Sequence, residues 1–391
     1  MCNYNYLEKN VKKKKHSSND ARFYPVSSAG KKAPVKRKLV MEIQQIFEQN
    51  IDKCANGKNK RVGHLTMEKR KTVMMGFIAD LHHLGFQIES MSNLREKHIV
   101  AWVELLVNNG QKPATIQNKL SVLRIYCSWI GKYGMVRSPE YYVTDASLVK
   151  RVTATRIDRS WDSKDVSNLI KIVSQKDPNV GVQLETCKEF GLRRLEAIMF
   201  KPHIADEGTY LHVRAGTKGG RPRMIPITTE QQRRLLDKAK AMADPKSGLI
   251  CRPGMTLKQA INRFKYVMRY CCLTRAGEGV TAHGLRHGYV HRRYQERTGG
   301  GKLPVKGGKP GDVDPMMDKV AKLKIMEEVG HSRLSVSTAY GGSFGHVGRS
   351  NKPHYAPITQ EQSEAICAVL ESLEKFGLAG PSGEDKSAAP I

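Results

Sequence analysis

Apolar residues recur every three or four positions from about residue 38 to residue 136, which is the period of an amphipathic helix. One stripe covers 73–84 and stops at Gly85, a second covers 99–106, and a third follows Pro113. A shorter stripe precedes these three. The pattern predicts a small all-α domain of about four helices.

A polar stretch over 131–159 predicts a linker, and the apolar pattern beyond it is mixed. Two β-like segments, 210–214 and 224–227, flank a glycine-rich turn, and the Gly and Pro residues of 299–314 predict a long loop. The other stripes predict helices over 161–173, 184–200, 229–242, 257–272, 285–297, 319–329 and 359–376. The predicted fold class is multidomain: an all-α domain, then a mixed α/β, mainly helical domain with a small antiparallel sheet.

Composition narrows the class of protein. Lys and Arg number 66 against 37 Asp and Glu, so the net charge is +29, and this excess favours a polyanionic partner, above all nucleic acid. A hydrophobic share of 39% excludes a wholly disordered chain. No apolar run reaches the ~18 residues of a membrane span. The Lys12–Lys15 run has no apolar stretch behind it, which argues against a secretory signal.

The chain is long enough that two domains are expected. We predict a basic, flexible arm over 1–37, a helical domain over 38–145, a second domain over 155–350, and a C-terminal helix and tail over 351–391. Whether that last helix docks on its own subunit or on a neighbour is open.

Metal binding is not predicted. The eight cysteines form no Cys-x-x-Cys pair and are expected to be reduced thiols. His283, His287 and His291 recur every four residues, but no carboxylate or cysteine of that stretch completes a set of metal ligands.

Five short patterns in the second domain carry the chemistry. A reaction that breaks and rejoins a phosphodiester needs cations for the phosphorane, an acid for the leaving oxygen and a nucleophile. Guanidinium groups suit the first task because they bind phosphate oxygens in pairs. Each pattern alone is weak, but their order and the nine-residue step to the tyrosine are strongly specific. They are Gly191-Leu192-Arg193-Arg194-Leu195-Glu196, Thr217-Lys218-Gly219-Gly220, His283-Gly284-Leu285-Arg286-His287, Gly330-His331-Ser332 and Tyr340.

In these patterns the chain resembles the tyrosine recombinases of the phage and mobile-element integrase family over roughly residues 60 to 345. The resemblance implies a SAM-like helical core-binding domain and a catalytic domain that together cleave and rejoin duplex DNA, integrating or excising a mobile element. It implies no cofactor, neither ATP nor a metal ion. The expected partners are double-stranded DNA at attachment sites, three further copies of the chain in a homotetramer, and accessory DNA-bending or directionality proteins. The expected location is the bacterial cytoplasm, on the nucleoid, with no membrane.

The resemblance also implies roles for matching residues. Tyr340 would attack the scissile phosphate and form a 3′-phosphotyrosyl enzyme, while Arg193 and Arg286 clamp the nonbridging oxygens. Lys218 would protonate the leaving 5′-oxygen, and His283 would assist as acid or base. His331 would donate a hydrogen bond to the phosphate. Glu196 would orient the site, and His287 would support it from beside the reacting groups.

The stretch 115–124 resembles the core-binding helix of the family less specifically. It implies that Thr115, Lys119 and Arg124 contact DNA.

Several alternatives remain open from the residues themselves. Arg194 competes with Arg193, and the competitors of Lys218 as the acid are Lys201, Arg221 and Arg223. The loop over 299–314 and the pair Gly288-Tyr289 depart from the usual family pattern. The rival functions are DNA relaxation by a type IB topoisomerase and non-catalytic DNA binding on the same fold.

Overall fold

The computed structural model describes residues 22–23, 25–50 and 62–344. The chain divides into two compact units, and the division falls between Val152 and Thr153. The predicted C-terminal helix, its tail over 351–391 and residues 1–21 of the predicted arm lie outside the described residues. In the part that is described, no helix is long and apolar enough to cross a membrane.

The N-terminal unit is a helical bundle, which confirms the predicted all-α domain. The four apolar stripes meet in one core whose largest side chains are aromatic. The first position of the last helix is a proline, where the missing N–H costs no hydrogen bond. The helices are α1 (Arg37–Gln49), α2 (His64–His83), α3 (Glu96–Asn108) and α4 (Pro113–Trp129).

The predicted flexible arm over 1–37 differs from the structure in its described part. Strand β1 (Arg22–Phe23) pairs antiparallel with β2 (Val35–Lys36). Ala33 and Val35 are buried in the core of the helical unit. These apolar residues anchor a segment whose surrounding lysines had indicated only a solvated arm.

The second unit is mainly helical with one small antiparallel sheet, which confirms the predicted fold class. Its strands are β3 (Tyr210–Val213) and β4 (Arg223–Pro226), and they lie at the two predicted β-like segments. Its helices are α5 (Val166–Lys176), α6 (Pro178–Glu189), α7 (Arg194–Ile198), α8 (Pro202–Ala205), α9 (Glu230–Ala241), α10 (Leu257–Tyr270), α11 (Ala282–Arg297), α12 (Pro315–Glu328) and α13 (Thr338–Gly341).

Two helix predictions need correction. The helix predicted over 184–200 is two helices, α6 and α7, because the chain turns at Gly191, which adopts a φ of +59°. The helix predicted over 319–329 begins earlier, at Pro315. Asp314 caps it by accepting hydrogen bonds from the backbone N–H groups of residues 316 and 317.

Helix α11 lies at the centre of the second unit although its sequence is strongly polar. Its buried charges are paired, as burial requires. The buried Glu328 of α12 accepts hydrogen bonds from Arg293 at 3.0 Å, from Arg297 at 2.6 Å and from the Tyr289 hydroxyl at 2.7 Å. Helix α11 is therefore held by ion pairs as well as by apolar contacts.

A single buried carboxylate ties three parts of the N-terminal unit together. Asp80 of α2 is 1% exposed. One of its oxygens accepts a hydrogen bond from the Trp102 indole at 2.8 Å, and the other accepts from the backbone N–H of Ser28 at 2.7 Å. The carboxylate thereby joins α2 to α3 and to the segment that precedes α1.

We expect Asp80→Ala to lower the free energy of unfolding by about 3 kcal/mol, because it leaves the buried Trp102 indole N–H and the half-buried Ser28 N–H without acceptors. The matched control is Glu104→Ala on the exposed face of α3, which should cost less than about 0.5 kcal/mol. Urea unfolding followed by tryptophan fluorescence measures both. Equal losses in the two variants would contradict a tying role for Asp80.

Candidate active site

Tyr340 lies on the one-turn helix α13 and is only 4% exposed. Its hydroxyl oxygen accepts a hydrogen bond from Nε of Arg286 at 3.0 Å. Nε2 of His331 is 3.1 Å from the same oxygen. The structure thus brings together three residues of the predicted set around one phenol.

Arg286 is fully buried on α11, and each of its nitrogens donates a hydrogen bond. Besides the Tyr340 hydroxyl, the acceptors are the backbone carbonyl of Gly191, at 2.7 Å, and that of Val329. Burial lowers the pKa of Arg286 to about 10, so the guanidinium stays charged at neutral pH. A buried cation therefore faces the phenol oxygen.

Arg193 occupies the N-cap position of α7, and its side chain reaches the same place. Its guanidinium bonds Glu196 at 2.7 Å and the Val329 carbonyl at 3.0 Å, and it lies 3.4 Å from Nε2 of His331. Arg194 is exposed. Of the two adjacent arginines, the structure thus places Arg193 at this cluster.

Glu196 is buried between the arginines. It accepts a hydrogen bond from the backbone N–H of Arg193 at 2.7 Å and a pair of bonds, at 2.9 and 2.7 Å, from the guanidinium of Arg223. Burial by itself would raise the pKa of this carboxyl. The hydrogen bonds and the charge of Arg223 outweigh burial, so the pKa lies below its ordinary value and the group stays ionised.

Arg223 was one of the sequence alternatives to Lys218 as the acid, and its pairing with Glu196 was not foreseen. Its Nε also donates to the backbone carbonyl of Glu328 at 2.7 Å, so the guanidinium is fully engaged. The sequence contained an indication of this burial. Side chains alternate between the two faces of a strand, so Arg223 of β4 lies on the same buried face as Ile225. An arginine at such a position needs a buried carboxylate.

Lys218 is exposed in the turn between β3 and β4. Its positive charge is among those that lower the pKa of His331, so it lies near enough to act on the cluster. Lys201 and Arg221 are also exposed. Lys218 therefore acts on the cluster through its charge, and among the described residues it forms no hydrogen bond with the cluster.

The histidines of the cluster are held neutral. His331 is half-buried and His283 is partly exposed. Desolvation by the surrounding protein, followed by the charges of Arg286 and Arg193, lowers the pKa of both histidines to about 4. The ring centroid of His283 is 6.0 Å from that of Tyr340.

His287 lies closer to the phenol, with its ring centroid 4.8 Å from that of Tyr340. Burial lowers its pKa to about 3. Its Nδ1 has no hydrogen-bond partner among the described residues.

Three residues predicted to contact DNA lie on α4 of the N-terminal unit. Thr115 is exposed. Lys119 is half-buried, with its ammonium 5.9 Å from the ring of Trp102, and burial lowers its pKa. The guanidinium of Arg124 donates to the backbone carbonyls of residues 136 and 137, at 3.1 and 2.6 Å. Arg124 therefore braces the end of its own unit.

No carboxylate of the histidine stretch itself completes a set of ligands, but the fold brings two carboxylates from another segment to its last histidine. Asp158 and Asp162 lie beside His291, and among the described residues these three form the one group spaced to hold a metal ion. The ammonium of Lys306 already lies between the two carboxylates, 2.7 Å from an oxygen of each. A lysine thus supplies the positive charge there.

Comparison with known proteins identifies the family. A family model described as "Integrase" matches residues 149–292, and one described as "Phage integrase, N-terminal" matches residues 47–136. The chain belongs to the phage integrase family, a class of DNA-recombining integrases. No curated protein matches its sequence.

Solved structures show the same fold. A fragment of lambda integrase, crystallised as a dimer bound to a COC′ core site, is 14% identical with a TM-score of 0.50, over 80% of this chain and 98% of that one. The integrase of transposon Tn1549, in complex with circular intermediate DNA, is 14% identical with a TM-score of 0.50, over 84% of this chain and 99% of that one.

We expect the stability of the protein to fall as the pH falls from 7 to 5, in part through His287. Below pH 6.5 the unfolded chain takes up a proton at this histidine, whereas the folded chain takes it up only near pH 3. At pH 5, protonation of His287 therefore stabilises the unfolded state by about 2 kcal/mol relative to the folded state. Urea unfolding at both pH values should show a loss smaller by about that amount in His287→Gln than in the wild type.

The control is His203→Gln, at an exposed histidine of α8. This variant should lose as much stability as the wild type between the two pH values. Parallel behaviour of His287→Gln and wild type would show that His287 is not held neutral by the fold.

Proposed function

We propose that the chain is a site-specific tyrosine recombinase that cleaves and rejoins duplex DNA through a 3′-phosphotyrosyl intermediate. The observation that carries the proposal is that Arg286 and His331 both contact the hydroxyl of Tyr340, with Arg193 beside His331. The resemblance in sequence and the match to the integrase family support it. A mobile element would be integrated or excised by this reaction.

Tyr340 is the nucleophile in this proposal. Because Arg286 donates to the phenol oxygen, the phenol proton is free to point towards Nε2 of His331. Arg193 also has a proton to donate to that nitrogen. We therefore assign Nε2 as an acceptor, with the imidazole proton on Nδ1. The neutral His331 then orients the phenol and receives its proton as the oxygen attacks phosphorus.

Two guanidinium groups stabilise the charge that develops on the phosphate. Arg286 and Arg193 both donate a hydrogen bond to the Val329 carbonyl. Their guanidinium groups therefore meet at the same place, although they come from different parts of the chain. On DNA the nonbridging oxygens of the scissile phosphate take up donors of this pair. The preorganised positive charge lowers the barrier because it is already in place when the phosphorane forms.

Lys218 acts on the other side of the phosphate. It extends from a turn and is exposed, so it can approach the leaving 5′-oxygen and protonate it. The energy of the phosphodiester is kept in the tyrosyl ester, so the free 5′-hydroxyl of a second strand can reverse the attack without ATP. The arginines provide the charge that a metal ion would otherwise supply, and we propose that cleavage needs no cofactor.

The partner of the reaction is double-stranded DNA that carries the attachment sites. The structures of the lambda and Tn1549 integrases each contain DNA, and the net charge of +29 gives this chain the means to neutralise phosphates. We propose that Thr115 and Lys119 add phosphate contacts from α4. A homotetramer on DNA and accessory bending or directionality proteins complete the proposal.

We expect Tyr340→Phe to bind DNA as tightly as the wild type and to form no covalent adduct, because only the attacking oxygen is removed. The substrate is a nicked suicide duplex made from the DNA that flanks the gene, and denaturing gels detect the adduct. An adduct formed by Tyr340→Phe would refute the nucleophile. Relaxation of supercoils by the wild type without strand exchange would indicate a type IB topoisomerase instead.

A second prediction uses the adjacent arginines as a matched pair. At saturating DNA, Arg193→Ala should slow adduct formation by about 10²- to 10³-fold, because one donor to the developing charge is lost. Arg194→Ala, at the exposed neighbour, should stay within about twofold of the wild type. Single-turnover adduct formation measures both rates, and a reversed order would exchange the two assignments.

A further inference from the structure

The helix that carries Tyr340 is too short to hold itself. Helix α13 is a single turn, and one helical turn has almost no stability of its own in water. The chain leaves it at Gly342 with a φ of +78°, so no longer helix continues it. The position of the phenol must therefore be set by groups that contact α13 from outside.

Besides α11 and the residues just before α13, two segments that are distant in sequence contact this turn. The backbone N–H of Thr155 donates to the carbonyl of Thr338 at 3.0 Å. From the other direction, the loop over 299–314 brings the buried Leu303 against Gly341, where an added Cβ would come within 2.7 Å of its side chain. The turn is thus held between the start of the second unit and the long loop.

Lys306 ties these two segments to each other. Its ammonium lies 2.7 Å from Asp158 and 2.7 Å from Asp162, and its side chain is 24% exposed. Burial would lower the pKa of Lys306, but the two carboxylates outweigh it and raise the pKa. Without this ammonium, two like charges would face each other where the loop joins the segment over 155–162.

The same cluster reaches the backbone of the tyrosine through His291. This histidine is 3% exposed, and its Nε2 is 3.1 Å from the backbone carbonyl oxygen of Tyr340. Its Nδ1 lies 3.8 Å from an oxygen of each carboxylate and has no hydrogen-bond partner among the described residues, so this contact is electrostatic and steric. The network of contacts therefore runs from Lys306 through Asp158 and Asp162 to His291, and ends on the peptide group of the proposed nucleophile.

We propose that Lys306 is a positioning residue for strand cleavage, which holds the 299–314 loop and His291 in place and thereby fixes the backbone of Tyr340. This inference rests on the proposed function of Tyr340. Lys306 does not touch the reacting atoms. It acts on the distance between the phenol oxygen and the phosphorus, on which the rate of an oriented reaction depends steeply.

The test compares Lys306→Met with Lys306→Arg. The methionine keeps the apolar stem and loses the charge, whereas the arginine can still bridge two carboxylates. On the nicked suicide duplex from the flanking DNA, Lys306→Met should form the adduct about tenfold more slowly at saturating DNA. Its dissociation constant for that duplex should stay within about twofold of the wild type, and Lys306→Arg should restore most of the rate.

The matched control is Lys309→Met. Lys309 is an exposed lysine of the same loop, and its ammonium has no ion pair among the described residues. This variant should form the adduct at the wild-type rate. If Lys306→Met equals it in rate, the inference is overturned. If Lys306→Met loses DNA affinity and rate in proportion, Lys306 is a DNA contact, and the inference is again overturned.

Two further measurements distinguish a loss of positioning from unfolding and from independent effects of the two residues. A thermal melt of Lys306→Met that matches the wild type shows that the slower rate does not come from unfolding. Asp162→Asn removes one of the like charges, so adding it to Lys306→Met should recover part of the lost rate, and strictly additive losses would refute the network. If the wild type forms no adduct at all, the proposed function fails, and this outcome is distinct from equal rates in active proteins.

Discussion

The catalytic unit depends on one buried carboxylate among guanidinium groups. Glu196 pairs with Arg193 and Arg223, and it lies 3.9 Å from Arg286. Three cations against one anion leave a surplus of positive charge inside the protein, and such charge is costly to bury. Backbone carbonyls of Gly191, Glu328 and Val329 accept the remaining donors and make the arrangement tolerable. The same surplus is what an anionic phosphate would complement in the proposed reaction.

This electrostatic arrangement explains the shape of the surrounding chain. The turn after α6 must present the Gly191 carbonyl to Arg286, and a Cβ at Gly191 would come within 2.5 Å of the Tyr289 ring. Helix α12 ends at Glu328, and the left-handed Gly330 turns the chain just beyond it, which leaves the Val329 carbonyl open to both arginines of the proposed clamp. The hydrogen bonds that stabilise the buried arginines therefore depend on backbone turns that favour glycine, and glycine occupies both positions.

The proposed nucleophile is held in a different way from the arginines around it. The arginines are fixed on helices with many contacts, whereas Tyr340 is on one turn that depends on its neighbours. His331 and Arg286 hold its hydroxyl, His291 contacts its backbone carbonyl, and the loop over 299–314 and Thr155 contact the neighbouring residues of the turn. A reactive group held in this way responds to small changes in distant segments. That dependence is why a lysine with no role in the chemistry becomes important in our inference.

The sequence by itself determined the residue types, their order and the periodicity of each element. From these came the two-domain class, the small sheet and the set of residues that the structure gathers around Tyr340, because local patterns reflect local physics. The tertiary structure alone decided which charges pair. Glu196 meets Arg223 across 27 residues, Arg286 meets Tyr340 across 54, and Lys306 meets Asp158 through a loop that the sequence marked only as long. Ion pairs and hydrogen bonds of this kind are made between surfaces that exist only after the helices have packed, so no local pattern records them.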